Sequence, residues 1–249
     1  MAKKRVSLTL SERLVDRIDG LADSEGMNRS RTMEEILEDY FSTNEISTAV
    51  IFCGDPEVKS LDEYEGEAVI KHIIVQLVRQ GVKQIYLLTG GNEGKIKSLL
   101  GENYSGTSLH YISEDDPKGN AAALRTLSES INEPFAALNG HVITDVDLQD
   151  MYNLHKNTDS AATIALTAVQ DPSNYGAARL KGDKILGFEE KPEKGKEPSK
   201  LINAGTYIFQ PSIFEKLDSD SIETVFESLA QQKELSGYIY GGKWQDVSR

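Results

Sequence analysis

Residues 49–53 read Ala-Val-Ile-Phe-Cys, an apolar run without alternation, and Gly54-Asp55-Pro56 follows at once. A short run of this kind, β-branched at its centre and closed by turn residues, predicts a strand buried on both faces. Toward the C-terminus the pattern predicts a helix over 67–79, a strand over 84–89, a helix over 93–100, a strand over 109–112, a helix over 120–131 and a strand over 135–138. Regular alternation of the two element types predicts a layered α/β fold with parallel strands. Segments 162–169, 177–180, 185–188 and 205–209 read as further strands. Residues 191–200, rich in Lys, Glu, Pro and Gly, read as an exposed loop.

Toward the N-terminus the character changes. Arg5-Val6-Ser7-Leu8-Thr9-Leu10 alternates strictly and predicts a short strand. Ser11 is placed to cap a helix whose apolar residues Leu14, Val15, Ile18, Leu21 and Ala22 recur at helical spacing up to Gly26. A second helix is expected from about Asn28, with Met33, Ile36, Leu37, Tyr40 and Phe41 on its apolar face, ending near Ser42-Thr43-Asn44. The expected division is therefore 1–44 and 45–249. A strand and two helices of this size cannot close a core alone. With one cysteine in the chain, pairing with a second copy is the remaining route.

The 249 residues carry a formal net charge of −13, which taken as a whole argues against nucleic acid as a partner. That charge is unevenly spread. Residues 1–46 hold 7 basic and 10 acidic side chains, with three of the first five residues basic. No run of about 18 apolar residues occurs and the N-terminus lacks a signal-peptide pattern, so a soluble, cytoplasmic protein without membrane contact is expected. The lone Cys53 and the scattered His72, His110, His141 and His155 leave oxygen donors as the means of holding a metal.

The ordered combination Lys4-Arg5-Val6-Ser7-Leu8-Thr9-Leu10-Ser11-Glu12, capped helix, and Gly26-Met27-Asn28-Arg29-Ser30-Arg31 resembles the ribbon-helix-helix DNA-binding family of the Arc, MetJ and CopG type. The resemblance implies a homodimer whose paired strands enter the major groove of double-stranded DNA. Lys4, Arg5, Ser7 and Thr9 would then face the DNA, and the amides near Asn28, Arg29 and Ser30 would hold a phosphate. Taken singly, an alternating strand at a chain start reads equally as an edge strand, and a basic terminus as a solvated tail.

From about Thr48 onward, several strings in order resemble the sugar-phosphate nucleotidyltransferase family. They include Ala49-Val50-Ile51, Gly81-Val82, Pro117-Lys118-Gly119-Asn120-Ala121-Ala122-Ala123-Leu124, Asn139-Gly140-His141 and Asp171-Pro172-Ser173-Asn174-Tyr175-Gly176. Further strings are Gly187-Phe188-Glu189-Glu190-Lys191-Pro192, Asn203-Ala204-Gly205-Thr206-Tyr207-Ile208-Phe209 and Trp244-Gln245-Asp246-Val247. The resemblance implies a Rossmann-like α/β domain with a mixed sheet that joins a nucleoside triphosphate to a sugar 1-phosphate with release of pyrophosphate. Such chemistry gathers phosphate charges with cations, amides and magnesium. Glu190, Lys191, Asn203 and Gly205 would serve the sugar side, with Tyr175, Gly176, Gly119 and Asn139 lining the same ligand site. Glu190-Lys191 also reads as a solvated charge pair, and Gly176 and Gly205 as turn formers.

Two departures weaken the catalytic side. The family's glycine-rich, arginine-bearing loop is replaced by 54–65, with one glycine, no arginine, Lys59 as its cation, and Asp55, Glu57, Asp62, Glu63 and Glu65, which would repel a triphosphate. His141 stands where the family carries a metal-binding aspartate. Asp246 matches the second such aspartate, and Asp145 is a nearby substitute. His141 reads more simply as a partly exposed end-of-strand residue. The expectation is a DNA-binding regulator whose second domain senses a sugar phosphate or nucleotide, or assembles protomers into a higher oligomer. No cofactor is expected, with Mg2+ needed only if transfer occurs through Asp246 and Lys59. The alternative is an active transferase with an attached DNA-binding module.

Overall fold

The run at 49–53 lies at the centre of a ten-stranded mixed sheet in the computed structural model. Residues 6–43, 45–54, 57, 59–113 and 118–248 are described and, within 38–43, the backbone alone. From edge to edge the strands are Gly176–Lys181, Lys184–Glu190, Leu235–Ile239, Ala162–Ala168, Leu201–Phe209, Phe135–Asn139, Thr48–Phe52, Gln84–Leu88, Thr107–Ile112 and Asn103–Tyr104. Thr48–Phe52 pairs in parallel with Gln84–Leu88 on one side and Phe135–Asn139 on the other. The chain order therefore reverses at Thr48–Phe52, and a crevice at such a reversal lies beyond the carboxyl ends of the strands. Leu201–Phe209 runs antiparallel to both its neighbours and makes the sheet mixed.

Alternate residues of the central strand face two separate cores. Val50 and Phe52 pack with Phe135, Tyr207, Phe209, Phe226 and Leu229, while Ala49 and Ile51 pack with Ile70, Ile73, Ile74 and Leu77. Both faces being covered explains the unbroken apolar run. The helix Val69–Arg79 covers the second core with Val69, Ile70, Ile73, Ile74 and Leu77 on one stripe, all buried. Its first two expected residues, Glu67 and Ala68, instead pair with Glu63–Tyr64 in a small hairpin.

The expected helix over 120–131 is helical only at Asn120–Arg125. Beyond it the amides of Thr126, Leu127, Ser128 and Ser130 bond three residues back, a series of tight turns, and Thr126 Oγ1 donates to the Ala123 carbonyl. Hydroxyls that compete for backbone groups end the helix there. Elements outside the sequence expectations are the strand pair Val142–Thr144 with Trp244–Asp246, the helices Leu148–Lys156 and Ile222–Gln232, and Leu235–Ile239.

Met1–Glu45 and Ile46–Arg249 form separate compact units. The first holds helices Glu12–Glu25 and Arg29–Thr43. Ser11 occupies the cap position through its carbonyl, which accepts from Leu14 and Val15, rather than through its side chain. Gly26 closes the helix in the left-handed conformation. Residues 6–10 are not a paired strand, because a β-ladder needs a neighbour and the single chain offers none. Ala22 and Thr32 are the buried side chains among this unit's described residues, while Val6 is 68% and Leu8 62% exposed. Asn44 and the side chains of Tyr40 and Phe41 lie outside the described residues. No described helix is long and apolar enough to cross a membrane.

Candidate functional site

In the N-terminal unit, Ser7 and Thr9 are exposed on residues 6–10, and Lys4 and Arg5 lie outside the described residues. Asn28 caps the second helix, its Oδ1 accepting from the Arg31 amide at 3.1 Å and its carbonyl from Arg31 and Thr32. The amides of Arg29 and Ser30 follow in the first turn, where no carbonyl four residues back exists within the helix. Arg29 is also a strut: Nε and Nη2 reach Asp19 Oδ1 and Oδ2 at 2.6 and 2.5 Å. Hydrogen bonding to Arg29 holds the Asp19 carboxyl below the usual range. The guanidinium ties the two helices together, so at this position the backbone rather than the side chain is what remains to meet a phosphate.

The larger unit brings most of the sugar-side residues to the crevice. The Gly140 amide donates to the Phe52 carbonyl at 2.9 Å, which fixes the turn 139–141 against the end of the first strand. Asn203 Nδ2 donates to Tyr207 Oη at 3.0 Å, Tyr207 Oη donates to Asn139 Oδ1 at 3.3 Å, and the Gly205 amide donates to Asn203 Oδ1 at 2.9 Å. Burial pushes the Tyr207 phenol well above its usual range, so it stays a neutral donor. Gly205 has φ +74°, and a Cβ there would stand 3.0 Å from Asn139 Nδ2. A side chain would therefore break the same network.

A wall of aromatic rings follows. Tyr175 meets Trp244 edge to face at 5.5 Å, and Trp244 Nε1 donates to the Ala204 carbonyl at 3.2 Å. The Lys191 amide donates to the Tyr175 carbonyl at 3.0 Å, with Lys191 in a left-handed conformation at φ +48°. Its Nζ lies 3.8 Å from Glu190 Oε1, and Gly176 pairs with Glu190 across the strands. Gly119 sits apart from this network. At φ +142° a Cβ there would meet the Asp220 carbonyl at 2.3 Å, so this glycine serves the backbone.

The catalytic side is not assembled in the same way. Lys59 Nζ is 2.7 Å from Glu57 Oε2, which draws on the cation otherwise offered to phosphate. One cation distant in sequence meets the acidic loop, with Lys243 Nζ 3.2 Å from Glu65 Oε1, while just beyond the loop Lys71 Nζ lies 2.6 Å from Glu67 Oε2, four residues before it. Asp55 and Pro117 lie outside the described residues. Asp246 pairs with Val142 and Trp244 with Thr144, and the Val247 amide donates to the His141 carbonyl. Asp246 therefore stands beside His141, whereas Asp145 lies past the other end of the strand pair, next to Lys243 and Gly242. At roughly 3.3 Å per residue the register places the backbones of Asp246 and Asp145 about 10 Å apart along the strand pair.

An octahedral, oxygen-seeking ion such as Mg2+ fits this donor set poorly. Asp246 Oδ1 already accepts from the Ser248 amide at 2.9 Å and from Ser248 Oγ at 2.5 Å. Its neighbour supplies imidazole rather than carboxylate. Among the described residues no group of three His, Cys, Asp or Glu side chains is arranged to hold a metal. Tyr207, Trp244 and Ser248 were missing from the sequence candidates. The 203, 205, 207 spacing signals Tyr207, since alternate strand residues share a face.

Residues 55–248 match the nucleotidyl transferase family, and residues 4–41 match the copG family of ribbon-helix-helix proteins. The catalytic subunit beta of mannose-1-phosphate guanylyltransferase from Drosophila pseudoobscura pseudoobscura is 32% identical over 200 residues, covering 77% of this chain and 53% of that protein. The mannose-1-phosphate guanyltransferase of Yarrowia lipolytica is 33% identical over 201 residues, covering 77% and 55%. The chain thus spans about half the length of the curated relatives it matches. A UDP-glucose pyrophosphorylase complexed with UDP-glucose superposes with a TM-score of 0.71 at 21% identity, covering 82% of this chain and 94% of that one. A UDP-glucose pyrophosphorylase from Acinetobacter baumannii gives 0.71 at 18%, covering 81% and 88%. These structural likenesses bear on the fold.

Proposed function

The chain belongs to the nucleotidyl transferase family and carries a copG-type ribbon-helix-helix segment at its N-terminus, and from this premise we propose that it is a cytoplasmic, DNA-binding transcriptional regulator whose larger domain binds a ligand without turning it over. The observation that carries the reading is the exposed alternating row Val6, Leu8 and Leu10, beside a basic start, on a unit that buries little of its own surface. A second copy covering that row would pair the two strands and leave Arg5, Ser7 and Thr9 facing outward, where a two-stranded ribbon fits the major groove. The amides at Arg29 and Ser30 would fix the ribbon on the phosphates. The boundaries proposed for the two parts are 1–44 and 45–249.

The larger domain is read as a sensor because its sugar side is a connected hydrogen-bonded network, while its nucleotide side offers acids and a lysine paired with Glu57. A sugar phosphate, nucleotide sugar or nucleotide bound there would change operator affinity by preferring one arrangement of the dimer over another. A gel-shift and footprint with genomic fragments tests the DNA half. A chain lacking residues 1–44 that still binds duplex DNA as well as the full chain would refute it.

The identity with guanylyltransferases favours a second reading, active transfer using Asp246 and Lys59 with Asp145 as a substitute metal ligand, for which Mg2+ would be needed. Pyrophosphate release from sugar 1-phosphates and nucleoside triphosphates separates the two readings. Turnover abolished by Asp246→Ala establishes the second.

A further inference from the structure

Backbone bonds, one ring contact and strand register place Lys191, Tyr175, Trp244, Asp246 and His141 in succession along one side of the crevice. Lys191 is tied to Tyr175 by its amide, Tyr175 packs on Trp244, and Trp244 and Asp246 are two apart on one strand and so share a face. Asp246 stands opposite Val142, next to His141. Beyond Trp244, the Ala204 carbonyl leads into the network of Asn203 and Asn139, half-buried amides suited to sugar hydroxyls, which the buried Tyr207 phenol holds together from behind.

The anion-meeting end of this line is unsuited to an ion bridge. A hard divalent ion between phosphate and protein needs several oxygen ligands. Asp246 offers one carboxylate, of which Oδ1 is engaged twice by Ser248, and Asp145 lies past the far end of the strand pair. His141 offers nitrogen, a poor ligand for Mg2+. Lys191, by contrast, has a side chain 64% exposed, held on a left-handed backbone beside the aromatic wall. A lysine ammonium binds phosphate directly as a point charge.

We propose that the crevice, for which the family resemblance already implies a sugar phosphate and its contact with Lys191, binds that ligand with no divalent ion between it and the protein, and that His141 is the residue that shuts the metal out. This rests on the ligand-binding part of the reading above. It goes beyond it in fixing the charge chemistry of recognition and in naming the specificity-determining residue.

The test uses the full-length protein and isothermal titration with mannose 1-phosphate and glucose 1-phosphate, in EDTA and again in excess Mg2+. The expected dissociation constants agree within about twofold between buffers, and Lys191→Ala weakens both by about tenfold or more. Free mannose and inorganic phosphate serve as controls, each expected to bind more weakly than the ester. In parallel, Mn2+ alone is titrated and followed by its paramagnetic resonance. The wild type is expected to leave the aqueous signal unchanged, and His141→Asp to bind Mn2+ at least about tenfold more tightly, with His141→Asn behaving as wild type.

Heat with the sugar phosphates in Mg2+ but not in EDTA, or tight Mn2+ binding by the wild type, overturns this inference and leaves the sensor reading standing. Absence of heat with either sugar phosphate in both buffers overturns this inference together with the sugar-phosphate form of that reading. A His141→Asp protein that melts like the wild type yet gains no Mn2+ affinity removes His141 from the role.

Discussion

His155 is fully buried, with Nδ1 2.7 Å from Thr163 Oγ1, and burial together with the nearby Lys184 charge holds its pKa down to about 4. The unfolded chain titrates near 6.5, so between these values the unfolded state binds the extra proton. The stability contributed by neutral His155 is fully present above pH 6.5 and falls as the pH drops toward 4, by about 3 kcal/mol in all. Urea unfolding at pH 7 and pH 4.5 should show this drop in the wild type and a smaller one in His155→Gln; parallel losses would refute the assignment. At Gly205, φ +74° and the close Asn139 side chain predict that Gly205→Ala costs about 1–3 kcal/mol and weakens sugar-phosphate binding, both measurable on one purified variant.

The helix Val69–Arg79 carries the second core on a single stripe, so Ile73→Ala should cost about 2–5 kcal/mol in denaturant unfolding. That helix and the strand at 48–52 were legible in the sequence because burial on one stripe or on two faces writes a period into the residues. Val142–Thr144 and Trp244–Asp246, three residues each, are too short to carry one, and their pairing joins segments about a hundred residues apart. For that reason Asp145 reads as a neighbour of the site in sequence, and the register alone shows it at the wrong end of the strand pair. The helix Ile222–Gln232 is different: it has Ser221 as its cap and Ile222, Val225, Phe226 and Leu229 at helical spacing, so its signal was present and unused. Motif order proposes Asn139, Tyr175, Lys191 and Asn203 for the crevice and already contains Trp244, but the contact of Trp244 with Tyr175 joins distant segments that no local pattern pairs. For the ribbon, Arg5→Ala is expected to weaken DNA binding and relax base preference, while Ser30→Pro should weaken every site alike; competition gel-shifts against specific and scrambled duplexes distinguish these outcomes.

At the scale of the molecule, the net charge of −13 and the basic start of the ribbon act in opposite directions on DNA. The acidic remainder disfavours non-specific binding, so few sites should be occupied, while the cations and amides that meet phosphates should make affinity fall with salt, measured as the slope of log binding constant against log salt. On the proposed reading, in which a second copy covers the exposed row Val6, Leu8 and Leu10, that affinity depends on protein concentration as well. In genetic terms, base recognition is then the joint property of two gene products. Equal expression of a wild-type copy and a copy altered at Arg5, whose apolar row still pairs, would leave about one dimer in four fully competent. Such an allele should behave as dominant, while one that disrupts Leu8, and with it the pairing, should be recessive.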